Sequence, residues 1–291
     1  MTKVLVSSLL GNHQRLDGGA MFGNAPKPVW EKWCEPDELN RIELACRCLL
    51  IEWGKEKILC ETGIGSFFEP KLADRYGVVE KHHRLIDSLG SLGLKHTDIT
   101  AVILSHLHFD HAGGLLTPYD QRSNGKHDLL FTNAKYVVGA EAWERAKHPH
   151  PRDKASFIPE LADLLEKSGR LVVVGDKVPE FLAPIIQFHY THGHTPGHMH
   201  TIVKGAQDRI VFAGDLVPGT AWIHLPITMG YDRYPEKIID EKKYFYEKII
   251  DPRTFLFFTH DSKIAMSRVG QDDKGRFMPR EEKKEFQRLE I

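Results

Sequence analysis

A short segment of the chain concentrates side chains that bind metal ions. Its potential ligands are His106, His108, Asp110 and His111. They directly follow the apolar run 101–104, which is typical of a buried strand, so they lie where that strand ends. Side chains alternate between the two faces of an extended chain, so His111 can join the others only if the chain turns there. The glycine pair at 113–114 allows such a turn.

The spacing of these ligands favours a site for two ions. In the simplest geometry, His106 and His108 bind one ion. Asp110 and His111 then bind the second. Neutral imidazoles combined with a carboxylate suit zinc, iron, manganese or cobalt. The alternative is a histidine-rich surface loop without metal, which the preceding strand and the following glycines disfavour.

Three further polar residues with metal-binding side chains lie in similar contexts. His194 belongs to a second histidine cluster, Asp215 follows an apolar run and a glycine, and His260 ends a terminal apolar run. Strand ends in an α/β sheet gather at one edge, which is the usual place for an active site. We therefore expect these three residues to converge with His106.

Hydrophobic periodicity predicts strands and helices that can bring these residues to one edge. The predicted strands are 45–52, 57–60, 101–104, 135–139, 171–174, 185–190, 200–204, 209–213 and 254–258. The predicted helices are 79–92, 140–147, 159–168 and 235–250. A hairpin turn is predicted at 272–275.

Length and composition predict a chain with a sizeable core. It has 291 residues, of which 41% are hydrophobic, and we expect one domain spanning residues 1–291. The formal net charge of −1 gives no electrostatic reason to expect nucleic acid or an anionic membrane as a partner. No apolar stretch approaches membrane-spanning length, and the N-terminus becomes polar too early for a secretory signal, so cytoplasmic residence is expected.

Residues 16–44 are predicted to form a long loop at the entrance of the site. The segment combines glycines and prolines with large apolar side chains. Such a loop is usually a lid, a binding wall or an interface, so a homodimer is also expected. Four large apolar side chains are expected to contact substrate: Met21, Phe22, Trp30 and Trp222. The alternative is that these side chains belong to the ordinary core.

Taken together, the motifs resemble those of the metallo-β-lactamase superfamily of binuclear metallohydrolases. They are His-x-His-x-Asp-His at 106–111, Gly-His-Thr-Pro-Gly-His at 193–198, Gly-Asp at 214–215 and a terminal strand ending at His260. The resemblance implies an α/β fold, a single αββα sandwich with the metals at one sheet edge. Within the superfamily, the chain is most similar to the N-acyl-homoserine lactonase (quorum-quenching) and methyl-parathion-hydrolase branch, at segments 16–23, 26–30 and 231–235.

The resemblance also implies how the ligands divide between two divalent ions, with zinc expected and iron, manganese or cobalt as alternatives. The first ion is expected to bind His106, His108 and His194. The second is expected to bind Asp110, His111 and His260, and Asp215 is expected to bridge the two.

The same resemblance implies the reaction. Hydroxide held between the two ions attacks the substrate carbonyl. Asp110, which helps to protonate the leaving group, and the bridging Asp215 are therefore the expected catalytic residues. His198 flanks a ligand and is expected to orient the site from outside it.

The function expected from this resemblance is a metal-dependent hydrolase that acts on ester bonds. The expected substrate is an N-acyl-homoserine lactone or a similar lactone with an apolar tail. The alternative is a phosphotriesterase or arylesterase, which needs the same nucleophile and a different pocket. A ligand-binding protein without activity is disfavoured because the set of seven ligands is complete.

Two positions depart from the pattern of the family. Many relatives have Asp-Thr-Gly or Asp-Ala-Gly where this chain has Glu61-Thr62-Gly63, so we expect rearranged contacts around the ligands there. Some lactonases also have a tyrosine, three residues beyond the bridging aspartate, that assists the substrate carbonyl. This chain has Pro218 at that position, which leaves the donor to the carbonyl oxygen unassigned.

Overall fold

The computed structural model describes residues 2–291, which form fifteen strands and eight α-helices. The strands are β1 (Val4–Leu10), β2 (Gln14–Asp17), β3 (Arg41–Leu44), β4 (Arg47–Trp53), β5 (Glu56–Cys60), β6 (Ala101–Leu104), β7 (Lys135–Gly139), β8 (Leu171–Val174), β9 (Ile186–Thr191), β10 (His198–Lys204), β11 (Arg209–Phe212), β12 (Thr254–Phe257), β13 (Met266–Gln271), β14 (Phe277–Lys283) and β15 (Leu289–Glu290). The α-helices are α1 (Gly18–Phe22), α2 (Lys27–Trp30), α3 (Pro70–Arg75), α4 (Arg84–Ser91), α5 (Phe109–Ala112), α6 (Ala140–Lys147), α7 (Leu161–Lys167) and α8 (Pro235–Tyr244).

Two large sheets contain most of the strands. The first has seven strands in the order β15-β1-β4-β5-β6-β7-β8, and the second has six in the order β14-β13-β12-β11-β10-β9. Strands β5 to β8 run parallel to one another, as do β11 and β12. The carboxyl ends of these parallel strands are therefore brought to one edge of each sheet.

The alternation of side chains along each strand explains why the sheets pack in layers. In β6, Val102 and Leu104 face a core shared with Leu85 of α4, on the outer face of the first sheet. Ile103 of the same strand faces the other way, into a core between the two sheets that includes Phe257.

A third core covers the outer face of the second sheet. Val211 of β11 and Leu256 of β12 pack there against Ile238 of α8 and against Phe245, which follows that helix. With helices outside both sheets, the fold is the predicted αββα sandwich. None of the helices in residues 2–291 has the length and apolar character needed to cross a membrane.

The predicted strands and the predicted turn at 272–275 are confirmed, with shifts of one or two residues at several ends. The predicted helix 79–92 is shorter, because only Arg84–Ser91 is helical. Asn12 explains the late start: its Nδ2 donates to the carbonyls of Glu80 and His82, which holds that segment out of the helix. Its Oδ1 then accepts from the backbone N–H of Arg84, the first helical residue.

The predicted helix 235–250 also ends early. Its α-helical part stops at Tyr244, and the last turn, Phe245–Ile249, is a single turn of π-helix. A turn of this kind is a local widening of the helix.

The prediction of a long loop at 16–44 is wrong. The segment contains β2, α1, α2 and β3, and the two strands pair with each other as a separate small sheet. Asp17 caps α1 by accepting from the backbone N–H of Ala20 at 2.7 Å. A Cβ atom on Gly18 would lie 2.4 Å from the ring of Trp30, so this close packing requires glycine.

Two aromatic side chains of this segment, Phe22 and Trp30, are buried in the core. The ring of Phe22 stacks on Trp222 at 4.5 Å and on Trp30 at 5.5 Å between ring centroids. Phe22 and Trp30 are 0% and 1% exposed, so the expectation that they form an open substrate wall is wrong. Stacking the three rings in the core removes their apolar surface from water, whereas an open loop would leave that surface exposed. This is the physical reason why the observed position differs from the predicted one.

Replacing Phe22 should therefore destabilise the fold. The variant Phe22→Ala leaves a cavity inside the ring stack, and we expect it to lower the free energy of unfolding by about 3–5 kcal/mol in chemical denaturation. Trp33→Ala is the matched control, because Trp33 contacts Phe22 from outside and is 39% exposed. Equal losses in the two variants would contradict the assignment of Phe22 to the core.

Candidate metal centre

The seven predicted ligands converge at one edge of the sandwich. His106 follows β6, Asp215 follows β11 and His260 follows β12, while His194 lies in the connection from β9 to β10. Backbone hydrogen bonds join the two sheets at this edge, including one from the N–H of Met199 to the carbonyl of Ser105 at 2.9 Å. The sequence prediction that these strand ends meet is confirmed by the geometry.

The turn that brings Asp110 and His111 back to the site is the short helix α5. The glycines after it serve close packing rather than the turn itself. A Cβ atom on Gly114 would lie 2.1 Å from the carbonyl oxygen of Thr62, and one on Gly113 would lie 2.3 Å from that of Ile64. Glycine is therefore needed where α5 passes against residues 62–64.

Six of the predicted ligands form two groups of three, and a further group consists of Glu61 with His106 and His111. The nitrogen atoms of His106, His108 and His194 lie within 4.8 Å of one another, and so do the ligand atoms of Asp110, His111 and His260. These are the two sets expected from the sequence.

Asp215 lies between the two groups. Its Oδ2 is 3.2 Å from Nε2 of both His194 and His111, and its Oδ1 is 3.2 Å from Nε2 of His260. Ligands about 2.0–2.1 Å from one tetrahedral ion are separated by about 3.3 Å, so the spacing suits metal binding.

Unpaired polar atoms show that a cation fits this cluster. The Nε2 atoms of His106, His108 and His194 are buried and have no hydrogen-bond partner among residues 2–291. Such orphaned acceptors are rare in folded proteins, because each loses its hydrogen bond to water without replacement. Histidine and aspartate are ligands of divalent transition metals, and a divalent ion is the group that this set of donors suits.

The pKa values of His106, His108 and Asp215 also favour metal binding. Burial and the neighbouring His111 hold the pKa of His106 well below its usual value, and burial lowers the pKa of His108 to about 3. Both imidazoles are therefore neutral, as metal ligands must be. Burial would raise the pKa of Asp215, but His111 and His194 hold it well below its usual value, so the carboxylate is ionised.

Groups outside the cluster fix the orientation of its imidazoles. Nδ1 of His194 donates to Oδ1 of Asp232 at 2.9 Å, and Nδ1 of His260 donates to the carbonyl of Ala45 at 2.7 Å. Because these oxygen atoms only accept, the proton is on Nδ1 and the lone pair of Nε2 faces the site. Sequence reasoning did not identify Asp232 in this role.

Glu61 fixes the orientation of two histidines, His111 and His106. Its Oε2 accepts from Nδ1 of His111 at 2.7 Å, and its Oε1 accepts from the hydroxyl of Ser105. The oxygen of Ser105 in turn accepts from Nδ1 of His106 at 2.9 Å. Glu61 is 0% exposed and has a φ of 63°, a strained conformation for a residue other than glycine. Glu61, where the chain departs from the pattern of the family, thus contacts His111 directly and His106 through Ser105.

Residues outside the cluster also form hydrogen bonds with the two acidic ligands, Asp110 and Asp215. Oδ2 of Asp110 accepts from Nε2 of Gln14 at 2.9 Å, and Gln14 is fully buried. The backbone N–H of Asp215 donates to Nε2 of His198 at 3.2 Å. His198 therefore contacts a ligand without entering either group of three, while Gln14 was not identified from the sequence.

A cavity of about 350 Å³ opens onto the cluster. Its walls are mostly apolar, and Asp110, His108, His194, Asp215 and His260 form its polar floor. Of the four side chains expected to contact substrate, Met21 lines this cavity, while Trp222 lines a separate cleft and Phe22 and Trp30 line neither.

The position of Pro218 provides no donor to a substrate. Its carbonyl oxygen accepts from the backbone N–H groups of His260 and Asp261 at 2.8 Å and 3.1 Å. Tyr231 lines the cavity instead. Burial and the charge of Asp110 raise the pKa of the Tyr231 hydroxyl, so it stays protonated and can donate.

Comparison with known proteins supports the class that fold and cluster define. The sequence pattern of the metallo-beta-lactamase superfamily matches residues 41–122 and 129–260. An N-acyl homoserine lactonase of Bacillus thuringiensis is 26% identical over 235 residues, which cover 76% of this chain and 82% of that protein.

Solved structures of similar proteins have the same fold. A probable metal-dependent hydrolase from Staphylococcus aureus has a TM-score of 0.81 and 28% identity, covering 96% of this chain and 98% of that one. The dizinc quorum-quenching lactonase AidC, solved with its product N-hexanoyl-L-homoserine, has a TM-score of 0.71 and 19% identity, covering 95% and 94%. The chain belongs to the metallo-β-lactamase superfamily, and it is a metal-dependent hydrolase, as the sequence predicts.

Removing the carboxylate of Glu61 should weaken metal binding. Glu61→Gln keeps the shape of the side chain, but its amide cannot accept from both His111 and Ser105, so two imidazoles lose their fixed orientation. We expect about 10–100-fold weaker metal affinity, measured by competition with a chromogenic chelator. The control is Glu43→Gln, a change on an exposed side chain. Unchanged affinity in Glu61→Gln would contradict the role assigned to this carboxylate.

Proposed function

We propose that the chain binds two divalent ions, with zinc as the expected metal, and hydrolyses the ester bond of a small lactone. The observation that carries this proposal is the position of Asp215, which contacts ligands of both groups at 3.2 Å. When bound, two such ions provide a nucleophile from water near neutral pH and polarise a substrate carbonyl.

The residues of the chain have separate roles in this proposal. His106, His108 and His194 would hold one ion, and Asp110, His111 and His260 would hold the other. Asp215 would set the distance between the two ions. Asp110 lines the cavity, where its carboxylate can take a proton from the attacking water and pass it to the leaving alkoxide. The hydroxyl of Tyr231 supplies a donor for the carbonyl oxygen from a loop far from Pro218 in sequence.

The proposed substrate class is N-acyl-homoserine lactones or similar lactones. Two observations support it: the mostly apolar cavity of about 350 Å³, and the lactonases among the relatives. A cavity of this size is at the lower end for small-molecule sites, which favours a compact substrate. Phosphotriesters and aryl esters need the same nucleophile, so they serve as comparison substrates.

A hydrolysis screen tests the proposal. Metal-loaded protein should open N-acyl-homoserine lactones or simple γ-lactones, measured by proton release, faster than it cleaves paraoxon or nitrocefin. Asp215→Asn should lower kcat by orders of magnitude, because the carboxylate that contacts both groups is lost. Asp120→Asn, on an exposed carboxylate away from the cavity, is the control.

Two results would contradict the proposal. One is hydrolysis of paraoxon or nitrocefin with no activity on any lactone. The other is full lactonase activity in Asp215→Asn, which would show that the bridging carboxylate has no part in the reaction.

A further inference from the structure

Two arginines line the same cavity as the metal ligands. Arg152 and Arg233 contribute to its wall beside Ser156, while the metal ligands form its floor. Within residues 2–291, neither guanidinium is paired with a carboxylate. A cationic wall is unexpected for an uncharged substrate with an apolar tail.

The two arginines are held together in a defined arrangement. Nδ1 of His150 accepts both from Nη1 of Arg233 at 3.2 Å and from the backbone N–H of Arg152 at 3.1 Å. Nη2 of Arg152 donates to the carbonyl of Gly230 at 2.9 Å. The backbone N–H of Arg233 donates to the carbonyl of His194 at 3.1 Å, which ties this arginine directly to a predicted metal ligand.

The nearby carboxylates of Asp153 and Asp232 accept hydrogen bonds from other residues, although Oδ1 of Asp153 is buried without a partner among residues 2–291. Asp153 accepts from Nε and Nη2 of Arg145 at 3.0 Å and 2.7 Å. Asp232 accepts from His194 through one oxygen and from the backbone N–H of Met229 through the other. Nε of Arg233 is buried without any acceptor among residues 2–291. The positive charges of Arg152 and Arg233 are therefore uncompensated on the cavity wall.

We propose that Arg152 and Arg233 bind a carboxylate group of the substrate, whose ester carbonyl lies at the metal cluster. This rests on the proposed hydrolysis of lactones and, within the similar lactones of that proposal, favours those that carry an acidic group over the uncharged N-acyl-homoserine lactones. The planar guanidinium fork matches the two oxygens of a carboxylate, and Arg233 is partly buried whereas Arg152 is exposed. The apolar walls then contact the carbon skeleton between the two polar ends of the ligand.

A pair of lactones that differ only in charge tests this proposal. The probes are 5-oxotetrahydrofuran-2-carboxylate and its carboxamide. Water adds to the ring carbonyl of the first and the ring C–O bond breaks, which gives 2-hydroxyglutarate and releases one proton. We expect wild-type protein to prefer the carboxylate by about 10–100-fold in kcat/KM, the range of a charge-assisted hydrogen-bonded pair.

The variants Arg152→Gln and Arg233→Gln should remove this preference, so that the ratio of kcat/KM for the carboxylate to kcat/KM for the carboxamide falls to about one. Lys248→Gln, which removes an exposed positive charge outside the cavity, is the matched control. Arg233→Lys keeps the charge without the fork and should restore part of the preference. If the arginines only hold the loops together, the Gln variants should melt earlier with the preference intact, which would overturn the proposal.

Binding measured without turnover separates this proposal from the proposed function. Glutarate should bind metal-loaded protein at least about tenfold more tightly than its monoamide in calorimetry, and Arg233→Gln should abolish the difference. Equal affinities in wild type would overturn the arginine site even if neutral lactones are hydrolysed. Tighter binding of glutarate in a protein that opens no lactone would instead overturn the proposed lactonase activity and leave the arginine site standing.

Discussion

The buried carboxylate of Asp215 needs positive charge beside it, and the architecture of the site follows from this requirement. An ionised carboxylate in a protein interior is strongly destabilising unless charge or hydrogen bonds compensate it. Asp215 is 6% exposed, and three imidazole nitrogens surround it at 3.2 Å. Burial opposes protonation of those imidazoles, yet Asp215 raises the pKa of His111 and His260 well above the usual value. Either protons or metal ions must supply the charge, and the orphaned nitrogens of the neighbouring histidines favour metal ions.

The rest of the fold keeps these groups in place. Parallel strands deliver ligands from both sheets to one edge, and hydrogen bonds across that edge prevent the sheets from separating there. Outside the ligands, Glu61 orients His111 directly and His106 through Ser105. The φ of 63° at Glu61 shows that the chain accepts local backbone strain to place this carboxylate, as is common at functional sites.

Local patterns, short apolar runs with polar residues directly after them, predicted that ligands converge at one sheet edge. The αββα sandwich and the division of the seven ligands followed from the resemblance of the motifs to the metallo-β-lactamase superfamily. The sequence did not predict that Gln14 supports Asp110, since the two residues are 96 positions apart and only the folded chain brings them together. Strand β1 was also missed, although it pairs with β4 over its whole length. The segment 16–44 was misread as a loop because its glycines and prolines suggest irregular structure, whereas the stacking of Phe22 buries it.

The central claim is that the cluster holds two ions, and a count of bound metal tests it most directly. Elemental analysis of protein purified without chelator and saturated with zinc should give close to two ions per chain. His260→Ala should retain about one, because it removes a ligand from one group and leaves His106, His108 and His194 intact. A wild-type protein that binds one ion, with a count that His260→Ala does not change, would contradict the account.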